Sequence, residues 1–491
     1  MKIDTISKKC IKPSSATPHH LQYFKLSDHH RRFPDHHTNL TFFYPAESII
    51  TDHASNFALK SNLLQQSLSQ TLTLYYPFAG RFQNEDIIIC NDDGILFIEA
   101  RTDTPLSDFL NQPDPNLMCN IHKHLVPTHA DAKAEADAGK TVEISISNGS
   151  MILLKFILFG CGGTAISVSI SHKITDLASI VTFFRSWSSS CFHVRSSHNT
   201  NGLSTDVQIV EPDLNFIGQT ITAGPDSTSS AKPVLSYALS GTKSIAKRFF
   251  FSPSKIEQLK TKIISAIEKS EQDHQHHYRL SRVDVVVALI WKCALAAAST
   301  SKKDGHHNQT FRPSVLLYAM NIRPRIIPPL PETCIGYLAC QFYMMVEKES
   351  DLELHELANK LVATKAHAKE VGEKFQGDHD QQVGFEAIMK YFEEERIEFM
   401  KNLLKKKDVL FYICSSFCRS SLLEADFGWG KPLWVINSSD NENLLINTIV
   451  LLDTKVIGAV EVLVTFGEEE MSAFECNEEL LQFATVNPNI I

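Results

Sequence analysis

The chain has 491 residues, 43% of them hydrophobic and 21% charged, and a formal net charge of -9 at pH 7. That length exceeds one ordinary core and points to two or three domains, two large ones being the simplest division. The composition is that of a globular chain with a substantial core, and the acidic balance excludes a general affinity for nucleic acid or anionic membranes.

The eleven cysteines are scattered without metal-ligand spacing, Cys414 and Cys418 forming a lone pair on an apolar run, so reduced structural thiols are expected. Residues 1–10 are polar and basic and hold no apolar stretch of signal-peptide length, which predicts a cytoplasmic location. The apolar stretches 151–170 and 283–298 are interrupted by Lys155 and Lys292 and predict no membrane span.

In chain order, Leu64, Leu68 and Leu72 lie four apart and predict an amphipathic helix over 57–74, ended by Pro77 and Gly80. The apolar runs 86–90 and 95–100 flank Asn91-Asp92-Asp93-Gly94 and predict a hairpin. A second hairpin is predicted from 151–159 and 164–171, reversed by Gly160-Cys161-Gly162-Gly163. Period-two alternation through its second strand puts Ile166, Val168, Ile170 and His172 on one face. Asp176 then suits the N-cap of a helix bearing Leu177, Ile180, Val181, Phe184 and Trp187 at helical spacing. From 188 to 234 the chain is rich in Ser, Thr, Gly and Asn, with Pro212, Pro225 and Pro233, and predicts a long crossing between domains. Beyond it, Ser281 caps a dense apolar run through Trp291, a strand is predicted at 314–319, and helices at 352–371 and 385–406. Strands at 409–416, 432–437, 446–453 and 458–466 complete a mixed α/β reading.

His172 is the residue with chemistry. It ends an apolar strand, and Asp176 follows four residues later. Burial disfavours the imidazolium, leaving a neutral ring able to take a proton from a hydroxyl. With 21 histidines, about one His-x-x-x-Asp spacing is expected by chance, so the spacing alone does not separate a base from a satisfied core histidine. The clusters His29-His30, His36-His37, His274 to His277 and His306-His307 fall in polar segments read as loops, without a ligand pattern, and no metal site is expected. Neither a Walker loop nor a Gly-x-Ser-x-Gly elbow is present, which speaks against nucleotide hydrolysis and serine-hydrolase chemistry.

Far downstream, Glu424-Ala425-Asp426-Phe427-Gly428-Trp429-Gly430-Lys431-Pro432 joins the His172 segment in a pair of motifs that resembles the plant BAHD acyl-CoA-dependent acyltransferases. The resemblance runs over nearly the whole chain, through Tyr76 to Arg81, Trp291 to Cys293, Asn321 to Arg325 and Pro328 to Pro331. Phe411-Tyr412, Cys418-Arg419 and Leu423 to Asp426 are most similar to the branch containing vinorine synthase. Two departures stand out: Tyr337 follows Gly336 where many relatives carry Asn, and Arg419-Ser420-Ser421 replaces the branch's aromatic and proline.

The resemblance implies two similar-sized domains of mixed β-sheet flanked by helices, with an active-site channel between them. Residues 1–205 would form the N-terminal domain with His172, and 206–491 the crossover and the C-terminal domain with Asp426 to Gly430. It implies acyl transfer from acyl-CoA, a co-substrate with no permanently bound cofactor, to the hydroxyl of a small-molecule alcohol, acetyl to an alkaloid or terpenoid being the expected case. Malonyl-CoA or a larger donor, and a catalytically silent binding homologue, are the alternatives. His172 would be the general base, Asp176 and Arg323 an architectural pair, and Asp426, Gly428 and Gly430 a structural loop, with Trp429 a candidate oxyanion donor or channel residue. A monomer is expected.

Overall fold

The structure is a computed structural model that describes residues 2–31, 36–47, 51–111, 121–132, 150–198, 208–221, 244–270, 279–301, 311–375, 381–406, 408–438 and 447–490. The histidine clusters at 274–277 and 306–307, and residues 199–207 and 222–234 of the expected crossing, lie outside them.

Among the described residues three sheets carry the fold, and each large one mixes parallel and antiparallel pairs. The first is six-stranded, in the order Asp4–Ile11, Ile95–Arg101, Ile152–Leu158, Thr164–Ser171, His37–Tyr44 and Trp434–Asn437. Thr164–Ser171 is buried along its whole length because it lies inside this sheet with both faces covered. The second sheet is seven-stranded, in the order Ala339–Val346, Ser314–Asn321, Leu410–Ser416, Asn447–Asp453, Val460–Gly467, Ser244–Phe251 and Thr485–Val486. A smaller four-stranded sheet joins Arg81–Phe82, Ile87–Ile89, Tyr23–Leu26 and Gly218–Ile221.

The expected helices pack where their apolar faces direct them. His53–Leu74 is capped by Asp52, which accepts from the Ser55 N–H, and it buries Leu64, Leu68 and Leu72. Against it lies Leu177–His198, whose Ile180, Phe184 and Trp187 enter the same core; the Trp187 indole N–H donates to the Leu64 carbonyl at 3.1 Å. Ser281 and Asp284 cap Arg282–Ser301 reciprocally, and that helix is central to the second core with Pro253–Ser270 and Leu354–Lys374.

Two expectations are corrected. The runs around Asn91 to Gly94 do not pair with each other: Ile87–Ile89 belongs to the small sheet, whereas Ile95–Arg101 pairs with Asp4–Ile11 and Ile152–Leu158. Asp92 (φ 55°) and Gly94 (φ 83°) turn the chain between sheets rather than back on itself, since Ile95 to Ala100 are buried on both faces and need neighbours on both edges. The crossing also does not begin at 188. The helix continues to His198 because Cys191 and Val194 are still buried, and the Cys191 thiol meets the Phe427 carbonyl.

Chain order and packing part company between the domains. Trp434–Asn437 leaves the C-terminal half to pair antiparallel with His37–Tyr44, and Gly218–Ile221 pairs with Tyr23–Leu26, so strands beyond residue 205 complete sheets of the first half. The Trp434 indole N–H also donates to Glu461 at 2.9 Å, and Arg248, stacked over that indole, donates to the same carboxylate at 3.1 Å. Phe43, Trp434, Leu452 and Leu463 share one apolar cluster there, so the two large sheets are joined by a buried seam.

Candidate active site

His172 follows the last residue of Thr164–Ser171, where the extended strand delivers it to the junction of the two halves. Its backbone N–H donates to the His36 carbonyl at 2.7 Å, continuing the pairing of the neighbouring strand. The ring is half-buried, and its Nδ1 lies 2.6 Å from the Thr175 carbonyl. A carbonyl can only accept, so Nδ1 carries the proton and Nε2 is left as the basic nitrogen. Burial lowers the pKa, against the opposing pull of the Thr175 carbonyl and Asp176. The ring is therefore neutral at pH 7 with its acceptor nitrogen defined.

Asp176 does not touch that ring. It caps the following helix, accepting from Ser179 N–H and Oγ at 2.9 Å each, and meets Arg323 at 2.6 and 3.1 Å. Burial alone would raise its pKa, but the Arg323 guanidinium and the Ser179 donors outweigh this and hold it below the usual carboxylate range. Arg323, only 2% exposed, also donates to the Cys334 carbonyl at 3.0 and 2.8 Å and to the Gly336 carbonyl at 3.3 Å. Leu338 N–H closes the arrangement on Asp176 at 3.0 Å. The pair ties the start of the helix after His172 to the loop 334–338 of the other half.

That loop brings Tyr337 against the imidazole, edge-on, with ring centroids 5.1 Å apart. The His36 ring meets His172 in the same manner at 4.9 Å. His36 is an exposed residue outside helix and strand, as expected, but His29, His30 and His37 are not loop residues of a polar surface. His29 and His30 lie in the single turn Asp28–Arg31, His30 is fully buried, and His37 begins a strand and meets Ser169 Oγ at 3.0 Å. Their contacts are too far away in sequence to leave a local signal: His29 and Tyr337 are 308 residues apart.

The second motif lies elsewhere. Asp426 Oδ1 accepts from Gly428 N–H at 2.7 Å and Gly430 N–H at 3.0 Å, and both glycines have φ of 100°. This is a carboxylate bracing a tight loop whose backbone favours glycine. Arg195 holds the Gly428 carbonyl, and Phe427 is fully buried beside Trp187. The Trp429 ring stacks on Phe427 and stands 6.4 Å from that of Tyr44, which pairs with Thr164. Thr164 and His172 are separated by about 26 Å of strand at about 3.3 Å per residue. Trp429 is consequently at the far end of the strand from the imidazole, and the oxyanion expectation is withdrawn.

A cavity of about 590 Å³ opens beside this second motif, lined in part by Arg282, Arg419, Ser420, Ser421, Asp453 and Thr454. Arg282 is paired with Asp453, whose other oxygen accepts from Arg419 N–H. Arg419 and Ser421 both have positive φ, 64° and 58°. Sequence reasoning identified the departure at 419–421 but not the cavity, whose walls come from four separate segments, at Arg282, 417–424, Val435 and 452–458. Among the described residues no cluster of metal-ligating side chains occurs, and no helix is long and apolar enough to cross a membrane.

Comparison with known proteins identifies the family. The model of a family described as the transferase family matches residues 1–481. Akuammiline synthase 1 of Alstonia scholaris is 33% identical over 484 residues, covering 99% of this chain and 98% of that protein. Deacetylvindoline O-acetyltransferase of Catharanthus roseus is 30% identical over 489 residues, covering 99% and 98%. Among solved structures, vinorine synthase superposes with a TM-score of 0.67 at 27% identity, covering 98% of each chain, and has the same two-domain fold. The chain belongs to the transferase family of BAHD acyltransferases, enzymes that take acyl-CoA as co-substrate.

Proposed function

We propose that this enzyme transfers an acyl group, acetyl in the expected case, from acyl-CoA to the hydroxyl of an alkaloid or terpenoid alcohol, with His172 as general base. The observation that carries the reading is the bond from His172 Nδ1 to the Thr175 carbonyl, which leaves Nε2 as the basic nitrogen of a half-buried neutral ring at the meeting of the two halves. Nε2 takes the acceptor's proton as its oxygen attacks the thioester carbonyl; the tetrahedral intermediate collapses to ester and CoA thiolate, and the imidazolium returns the proton to sulfur. Asp176, engaged by Arg323, keeps the frame and takes no part in the proton transfer. The acetyl donor and the acceptor class are supported by relatives such as deacetylvindoline O-acetyltransferase. The guanidiniums and hydroxyls lining the 590 Å³ cavity suit phosphate oxygens and fit the nucleotide end of the co-substrate.

The test incubates the wild type and His172→Ala with a panel of acyl-CoAs and plant alcohols, following both thiol release and product mass. An acylated product that disappears in the variant is expected, and its mass increment identifies the donor as acetyl, malonyl or larger. Full transfer by His172→Ala would remove the base. No product across the panel, together with no CoA binding, would favour a binding homologue.

A further inference from the structure

Resting on the reading of His172 as the base, we propose that Tyr337 is a positioning residue for that imidazole, held by a clamp of two histidines, His29 and His30, that reaches across from the N-terminal part of the chain.

The clamp grips the tyrosine by its backbone. The Tyr337 carbonyl accepts from His29 Nε2 at 3.0 Å, and its N–H donates to His30 Nε2 at 2.8 Å. A peptide N–H can only donate, so His30 Nε2 is bare and Nδ1 carries the proton, donated to Ser27 Oγ at 2.7 Å. Burial, reinforced by His29, Arg323 and Lys173, keeps the His30 pKa well below the usual histidine value, so the accepting form persists at neutral pH. The residues on either side are fixed as well. The Gly336 N–H donates to Ser179 Oγ at 3.0 Å, and Leu338 N–H is bound by Asp176. Gly336 has φ of 146°, and a Cβ there would come within 2.8 Å of His30 Nε2, so glycine is what lets the histidine approach.

This precision has an object. Burying a fully bonded imidazole to hold one peptide is more than a packing loop needs, since apolar contact alone would keep a ring in place loosely. The Tyr337 side chain is 4% exposed and directs its ring at His172. The bond from Nδ1 to Thr175 decides which nitrogen is the base but not how the ring tilts about it. The rings of Tyr337 and His36 supply that restriction, and Tyr337 also keeps water from one side of the imidazole. Among the described residues, titratable groups facing His172 include His36, from the segment before the neighbouring strand, Tyr337, from the loop 334–338, and Asp176, engaged by Arg323.

The experiment measures kcat and KM for the acyl-CoA across the acidic limb of the pH profile, in the full chain carrying Tyr337→Ala, Tyr337→Phe, His30→Ala and the His30→Ala/Tyr337→Ala double replacement, with His172→Ala alongside. A displaced base costs about 10- to 100-fold in kcat for Tyr337→Ala, with KM little changed. The acidic limb moves to higher pH as water reaches the ring. Tyr337→Phe restores the ring and recovers most of the lost kcat, while His30→Ala moves the limb in the same direction and adds little to Tyr337→Ala. An unaltered kcat and limb in Tyr337→Ala, with His172→Ala inactive, overturns the positioning role and leaves the base intact; an active His172→Ala overturns the base itself. If Tyr337→Ala does not fold, Tyr337→Leu, which keeps apolar volume but no flat ring, carries the same comparison, and a wild-type limb and kcat there overturn the proposal.

Discussion

Replacing Arg323 by Met deletes the cation of the pair that joins the two halves behind His172. Asp176, 4% exposed, would keep the Ser179 and Leu338 donors but no positive charge, and the Cys334 carbonyl would lose both of its guanidinium bonds. Removing one partner of a buried pair costs about 3–5 kcal/mol. Against a typical folding free energy of about 5–15 kcal/mol, that is a large fraction of the total. Urea unfolding, read as the midpoint shift multiplied by the slope, measures it. A second arm discriminates the cause: Asp176→Leu combined with Arg323→Met removes both charges and should recover part of the loss, because the single variant suffers chiefly from an uncompensated carboxylate. A cost below about 1 kcal/mol for Arg323→Met, the range of an exposed pair, would refute the reasoning, as would a double variant no better than the sum of the singles.

The pH dependence of kcat/KM follows from the lowered pKa of His172: a base must be unprotonated, so activity should hold as pH falls through the ordinary histidine value of about 6.5 and decline only below it. An acidic limb centred above that value would contradict the burial argument. Gly336→Ala drives a Cβ against His30 at a φ that side chains avoid; thermal unfolding should show a cost of about 1–3 kcal/mol, with kcat falling alongside. Asp426→Ala strips the acceptor from two loop N–H groups and is expected to lose about 1–3 kcal/mol, seen as a lower melting temperature, while the acidic limb of the pH profile stays in place because the loop is a strand's length from His172.

How far the sequence reached depends on the range of the interaction. The helices with Leu64, Leu68 and Leu72, or with Ile180, Phe184 and Trp187, were legible because periodicity and caps act within a few residues. So was the strand ending at His172. The supposed hairpin around Asn91 to Gly94 failed for the complementary reason: turn residues specify a change of direction, whereas strand partners are chosen by which faces remain to be covered. Likewise, the apolar positions Cys191 and Val194 carried a helix through a serine-rich stretch that composition alone reads as a linker.

By itself the sequence determined the mixed α/β elements, the position of the one histidine with a candidate base role, and the motif pair that resembles the family. Only the tertiary structure decided which nitrogen of His172 is basic, that Asp176 serves Arg323 and not the imidazole, that Trp429 stands far from His172, and that His29 and His30 grip Tyr337. These are contacts between segments up to several hundred residues apart. Their geometry is set by how the sheets cover one another, and no local pattern encodes it.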